Sequence, residues 1–184
     1  MTHDEAASLR EILRRETREE HDRLDAMMSA MPLGSDADYA RFLIVQYRAR
    51  YAVEGWLAMH CPSGDSPPPQ CPALAADLME LETDIPTDIA EFAAPSGSEL
   101  GISWVLAGSS LGNRSLLKQR IRAGLDGPHR FLSSEDMPAF FKQMLAKINA
   151  APFTGTRALN VAGAKSVFDR FLQEASEALA GKGE

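Results

Sequence analysis

One imidazole and one pair of glycines are the residues of this chain whose type and spacing could do chemistry. His21 lies in Leu13-Arg14-Arg15-Glu16-Thr17-Arg18-Glu19-Glu20-His21-Asp22-Arg23-Leu24-Asp25. Apolar residues recur at Leu9, Ile12, Leu13, Leu24, Met27 and Met28, close to the period of a one-sided helix. His21 follows Thr17 by four residues and precedes Leu24 by three, so a straight helix puts all three on one inner face. An inward imidazole is a candidate metal ligand. A core or surface histidine without a ligand is the commoner alternative.

The glycines are Gly108 and Gly112, in Leu100-Gly101-Ile102-Ser103-Trp104-Val105-Leu106-Ala107-Gly108-Ser109-Ser110-Leu111-Gly112-Asn113-Arg114. Their i, i+4 spacing puts them on one helix face. Each costs roughly 1 kcal/mol relative to alanine in a helix interior. Such a pair implies either a large flat group lying against the backbone or close packing of a second helix. A phosphate loop is excluded, because neither Gly-x-Gly-x-x-Gly after a strand nor Gly-Lys-Ser/Thr occurs.

Other chemistries find less support. A carboxylate-bridged di-iron bundle needs Glu-x-x-His on two helices, and none is present. Cys61 and Cys71 match no zinc spacing, and a cytosolic compartment would keep them reduced. His60 adjoins Cys61, but neighbouring helical residues face apart, which argues against an activated thiol.

The elements that must position these residues read as helices punctuated by proline and glycine. A first helix is expected over 4–30, and a second, capped by Ser35 or Asp36, to about residue 60. Tyr39, Phe42, Leu43, Val45, Gln46 and Val53 mark the inner face of the second. The proline-rich segment 62–72 is a loop. Short helices follow over 73–83 and 87–92, then a glycine-bearing helix over 98–123. Two more are expected, from Ser133 or Ser134 to about Asn149 and over 156–180. No alternating strand pattern and no repeat is visible. The prediction is a single all-α domain over 1–184, a helical bundle with its site on facing helices.

With 184 residues and 45% apolar content, the chain can bury about 70% of its unfolded surface. Its net charge of −7 argues against nucleic acid as a partner. The cluster Arg10, Arg14, Arg15 and Arg18 reads as a solvated face, relieved by the i, i+4 pairs Arg15–Glu19, Arg18–Asp22 and Glu19–Arg23. No apolar run approaches about 18 residues and no apolar signal core opens the chain, so a cytoplasmic protein without membrane spans is expected.

Together the two segments resemble haem oxygenases, in particular the bacterial type associated with bacteriophytochromes. The first block is Leu13, Arg14, Thr17, His21, Leu24 and Asp25. The second is Trp104, Val105, Leu106, Gly108, Ser109, Leu111 and Gly112. Asp38-Tyr39-x-Arg41-Phe42-Leu43 with Glu54, Asp77-Leu78-x-x-Leu81, Phe140-Phe141-Lys142 and Ala164-Lys165-Ser166-Val167-Phe168 follow the family's remaining helices. The resemblance spans roughly 8–178. The chain departs from the pattern at Asn113, where a second glycine is usual, at Ala107, where glutamate is usual, and near Gln70, where a basic residue is common.

The resemblance implies that haem is both cofactor and substrate. His21 becomes the proximal iron ligand, with Asp25 one turn on as the nearest group to orient its ring. Arg14 and Lys142, with Lys147 as a looser candidate, become propionate partners, although the alternative for each is a solvated surface cation. In a straight helix Arg14 would stand about 10 Å along the axis from His21. Thr17 joins the haem-binding helix. Gly108 and Gly112 lie over the opposite haem face, where Ser109, Ser110 and Asn113 could hold an ordered water. A helical serine more often bonds its own backbone. Implied partners are O2, an electron-donating reductase or ferredoxin, and a bacteriophytochrome as bilin acceptor. Implied products are biliverdin, carbon monoxide and iron. The competing reading is a haem carrier or sensor of the same fold, for which Ala107 and Asn113 speak.

Overall fold

The computed structural model describes residues 7–61, 66–150, 153 and 155–180. Among these there are nine α-helices and no strand. Helix α1 (Leu9–Glu16) opens on a capping box. The Ser8 hydroxyl accepts the Glu11 amide, while the Glu11 carboxylate accepts the Ser8 amide at 2.8 Å. The expected single helix over 4–30 is interrupted at Thr17, whose backbone leaves the helical region at φ −115°, ψ 14°. Its hydroxyl donates to the Leu13 carbonyl at 2.8 Å, a back-bond that offers the chain an alternative to a straight helix. Helix α2 (Arg18–Ser29) follows directly. Residues 1–6, the start of the expected helix, lie outside the described residues.

Helix α3 (Asp36–His60) is capped by Ser35, which accepts the Asp38 amide. Helix α4 (Cys71–Glu80) begins earlier than expected because a side chain from α3 caps it. The two oxygens of Glu54 accept the amides of Gln70 and Cys71 at 2.9 and 3.3 Å, placing a carboxylate on the positive end of the helix. Residues 87–92 form no helix. Pro86 and Pro95 bracket the stretch, leaving too few residues to offset a costly nucleus.

The glycine-bearing helix is also broken. It comprises α5 (Glu99–Ser109), a 3₁₀ turn at Ser110–Gly112, and α6 (Asn113–Arg122). A one-turn helix, α7 (Arg130–Ser133), has its N-terminal amides at Arg130 and Phe131 held by the fully buried Asp77 carboxylate, each at 3.0 Å. Helices α8 (Asp136–Ile148) and α9 (Arg157–Ala180) complete the bundle.

Two cores flank α3. The larger joins α1, α2, α5, α8 and α9 to the later half of α3, around Leu13, Val53, Ile102, Leu106, Val167 and Phe171. The smaller joins the first half of α3 to α4 and α7, around Tyr39, Leu43, Leu74, Leu78 and Phe131. Truncating any of the wholly buried leucines to alanine would cost about 2–5 kcal/mol. Helix α9 is the common wall, packing on α1, α2, α3 and α5. A buried ion network ties it to α3: Glu174 meets Arg48 at 2.7 Å and Arg170 at 2.9 Å. Among the described residues no helix is long and apolar enough to cross a membrane.

Candidate functional site

His21 does not face inward as a straight helix would place it. Thr17 and Leu24 are buried, but the imidazole between them is 54% exposed. The expected face assumed one straight helix, and the chain leaves helical geometry at Thr17, four residues before His21. The ring meets the edge of Phe168 on α9, with centroids 6.1 Å apart and planes at 72°. Its Nδ1 faces Asp25 Oδ2 at 3.5 Å and Asp22 Oδ1 at 3.6 Å. Both separations exceed an ordinary hydrogen bond, but both carboxylates bias Nδ1 toward carrying the proton. Nε2 has no bonded partner among the described residues, leaving it available as a ligand atom.

The same break removes the geometric argument for Arg14. It lies exposed on α1 rather than a fixed rise below His21 on one helix. Lys142 is exposed on α8, which packs on α1. Thr17 itself is buried at the break between α1 and α2, with its hydroxyl bonded to the Leu13 carbonyl.

The glycines divide into two kinds. A Cβ on Gly101 would lie 1.9 Å from the Asn160 carbonyl oxygen, and one on Gly163 would lie 2.5 Å from Ser98 Cβ. These two residues are what the α5–α9 crossing requires, and the Gly101 amide also donates to Asn160 Oδ1 at 2.9 Å. Gly108 and Gly112 have no such duty. A Cβ on Gly108 would make ordinary contact with Phe141 at 4.0 Å, and one on Gly112 would meet nothing within 4 Å. Gly112 has φ −76°, which any residue adopts. Neither helix packing nor backbone conformation calls for glycine there, and the surface at Leu111 and Gly112 is exposed.

The polar side chains beside this open surface are committed. Ser109 donates to its own Leu106 carbonyl at 2.8 Å, and Ser110 to that of Ala107 at 2.7 Å. Ser109 also accepts from Arg50 Nη2 at 2.7 Å. Asn113 is buried, its amide turned to the Phe131 carbonyl at 3.4 Å and away from the open face. Ala107 is fully buried in the larger core.

Arg50 is the residue that sequence reasoning missed. The guanidinium is fully buried, and burial pushes its pKa down from the usual range, with Glu54 opposing. A signal was present: Arg50 follows Gln46 by four residues and precedes Val53 by three on the apolar stripe of α3.

The thiol alternative loses its support. Burial, and then the neighbouring Glu54, push the Cys71 thiol far up, the opposite of activation. His60 is engaged elsewhere, with Nδ1 on the Trp56 carbonyl at 2.8 Å and its ring stacked on Trp56 at 4.2 Å. Among the described residues no cluster of three or more histidine, cysteine or acidic side chains could hold a metal ion, so a di-iron centre has no ligand set there.

The all-α bundle has the fold of a solved haem oxygenase. The NO- and CO-bound haem oxygenase from Neisseria meningitidis matches 94% of this chain and 92% of its own with a TM-score of 0.69, at 20% sequence identity. No family model and no curated protein sequence matches the chain.

Proposed function

We propose that this chain is a haem oxygenase, binding haem against Gly108 and Gly112 and opening it to biliverdin, carbon monoxide and iron. The observation that carries the reading is the pair of glycines with no role inside the protein. Gly108 in the last turn of α5 and Gly112 at the start of α6 leave the backbone bare where no packing requires it, and a flat group approaching the backbone supplies a reason. The neighbour's fold supports the choice of group.

In this reading His21 holds the iron through Nε2, with Asp25 and Asp22 facing Nδ1 and fixing the tautomer. Arg14 and Lys142 hold the propionates, and both are exposed cations whose long stems can reach for a carboxylate. Haem bound there supplies the oxygen-activating iron and the porphyrin carbon that is attacked, while O2 and electrons come from outside. Gly108 and Gly112 admit the ring face to the backbone. Ser109 presents a fixed hydroxyl dipole, because its proton is held by Leu106. No strong acid stands among Ala107–Asn113, so the protein contributes position and exclusion of bulk water rather than proton abstraction. Asn113 and Ala107, the departures that would favour a carrier or sensor, are both buried, so neither side chain stands on the open face. The reading extends to a cytoplasmic protein served by a reductase or ferredoxin, with a bacteriophytochrome as bilin acceptor.

The test is a hemin titration followed by reductant under air. The expected result is a saturable one-to-one complex whose Soret band decays as bilin absorbance grows. A carrier would only become ferrous. His21→Ala should lose both the normal haem spectrum and turnover while keeping its fold, since the side chain is half-exposed. Retention of both would remove His21 from the site.

A further inference from the structure

Arg50 carries more positive charge and more donors than the interior around it can use. Its Nε donates to Gln46 Oε1 at 3.2 Å and Nη2 to Ser109 Oγ at 2.7 Å, but the buried Nη1 has no hydrogen-bond partner. The Phe131 and Phe171 rings lie 5.4 and 5.8 Å from the guanidinium carbon, and the Glu54 carboxylate acts on its charge without bonding it. A cation so placed is seldom needed for stability, because an apolar side chain of similar volume often serves as well. What it does touch is the end of α5. There the Ser110 amide bonds the carbonyls of Ala107 and Gly108 as the helix tightens, and the Ser109 hydroxyl takes up the Leu106 carbonyl. Arg50 seizes that same hydroxyl from α3.

We infer that Arg50 is a positioning residue: through Ser109 it anchors the break carrying Gly108 and Gly112 to α3, and sets a buried positive charge behind the face where haem is proposed to lie. The inference rests on that proposed function for its second half only. The anchor belongs to the protein without ligand.

Four proteins test it: wild type, Arg50→Met, Arg50→Lys and Ser109→Ala. In the ligand-free state, amide hydrogen exchange over Gly108–Asn113 should quicken about tenfold in Arg50→Met, and less in Ser109→Ala, with helical circular dichroism unchanged. In the hemin complex, azide should bind ferric Arg50→Met about tenfold more weakly than wild type, because a cation favours an anionic ligand nearby. Arg50→Lys should restore azide affinity by restoring charge, but not slow exchange, since an ammonium lacks the fork that reaches Gln46 and Ser109 together. Unchanged exchange in both Arg50→Met and Ser109→Ala overturns the inference, whatever hemin does. Faster exchange with unaltered azide affinity also overturns it, reducing Arg50 to packing. If wild type takes up no hemin, the proposed function fails instead, and exchange alone decides the anchor.

Discussion

Gly101 and Gly112 are the same residue in what reads as one helix, and the folded chain treats them in opposite ways. At Gly101 the backbone of α9 occupies the space a side chain would need. At Gly112 that space is open. A glycine in a helix therefore signals nothing until the position of a Cβ is known. The first kind is explained by the fold. The second is not explained by packing.

The largest expected effect of breaking this contrast lies on the packed side. Gly101→Ala puts a methyl group 1.9 Å from a carbonyl oxygen, and neither backbone can yield without parting α5 from α9. The variant should lose about 3 kcal/mol or more, lowering Tm by roughly 6–12 °C in a chain of this size. An unchanged melting curve would mean that the crossing is not this close. Gly163→Ala should cost less, about 1–3 kcal/mol, because its nearest obstacles are the Ser98 and Ile102 side chains, at 2.5 and 3.1 Å. Urea unfolding of the two variants side by side should rank them in that order.

Gly112→Ala is the sharpest counterpart. With an ordinary φ and open space, alanine should leave stability unchanged or raise it by up to about 1 kcal/mol. In the hemin complex the same methyl group should slow reductant-driven bilin formation, and a bulkier residue should slow it further, with haem still bound. A clear drop in Tm would move Gly112 into the class of Gly101 and take away the observation on which the proposed function stands.

How far the sequence foretold this molecule follows the same line. The helical class and the bounds of α3, α8 and α9 were legible because caps, prolines and apolar period are local. Both breaks were not. Thr17 interrupts the helix with its hydroxyl bonded to the Leu13 carbonyl, and threonine is a common enough helix resident that nothing in the string marks this one. The crossing at Gly101 depends on Asn160, far along the chain, so periodicity cannot separate it from Gly108. The inward placement of His21 failed as well, since it assumed an unbroken helix through Thr17 and the imidazole is 54% exposed. Arg50 was hidden for another reason: a lone cation on an apolar stripe reads as an error in the pattern, although a mismatch of that kind is where a functional group is expected.

The smallest expected effect concerns how the His21 side is tied down. Helix α2 meets α9 through an ion pair, Lys165 Nζ to Glu20 Oε1 at 2.9 Å, at the edge of an open groove of about 460 Å³ lined also by Arg15, Arg18 and Asp22. Burial works to raise the Glu20 pKa, but the hydrogen bond and charge of Lys165 outweigh it, so the net shift is downward. The Lys165 ammonium is shifted up, chiefly by its hydrogen bond to Glu20. The pair should therefore stabilise the fold at neutral pH. Its contribution disappears as pH falls through the depressed Glu20 value, and again as pH rises through the elevated Lys165 value. Since Lys165 is 42% exposed, solvent screening holds the effect below about 1 kcal/mol. Lys165→Met should thus differ from wild type in urea unfolding near pH 7 and converge with it in acid beyond the carboxylate range. A difference that stayed constant across pH would trace the lysine's contribution to its stem packing on α9, and would show the open side of the molecule to be held, like the Gly101 crossing, by contact rather than charge.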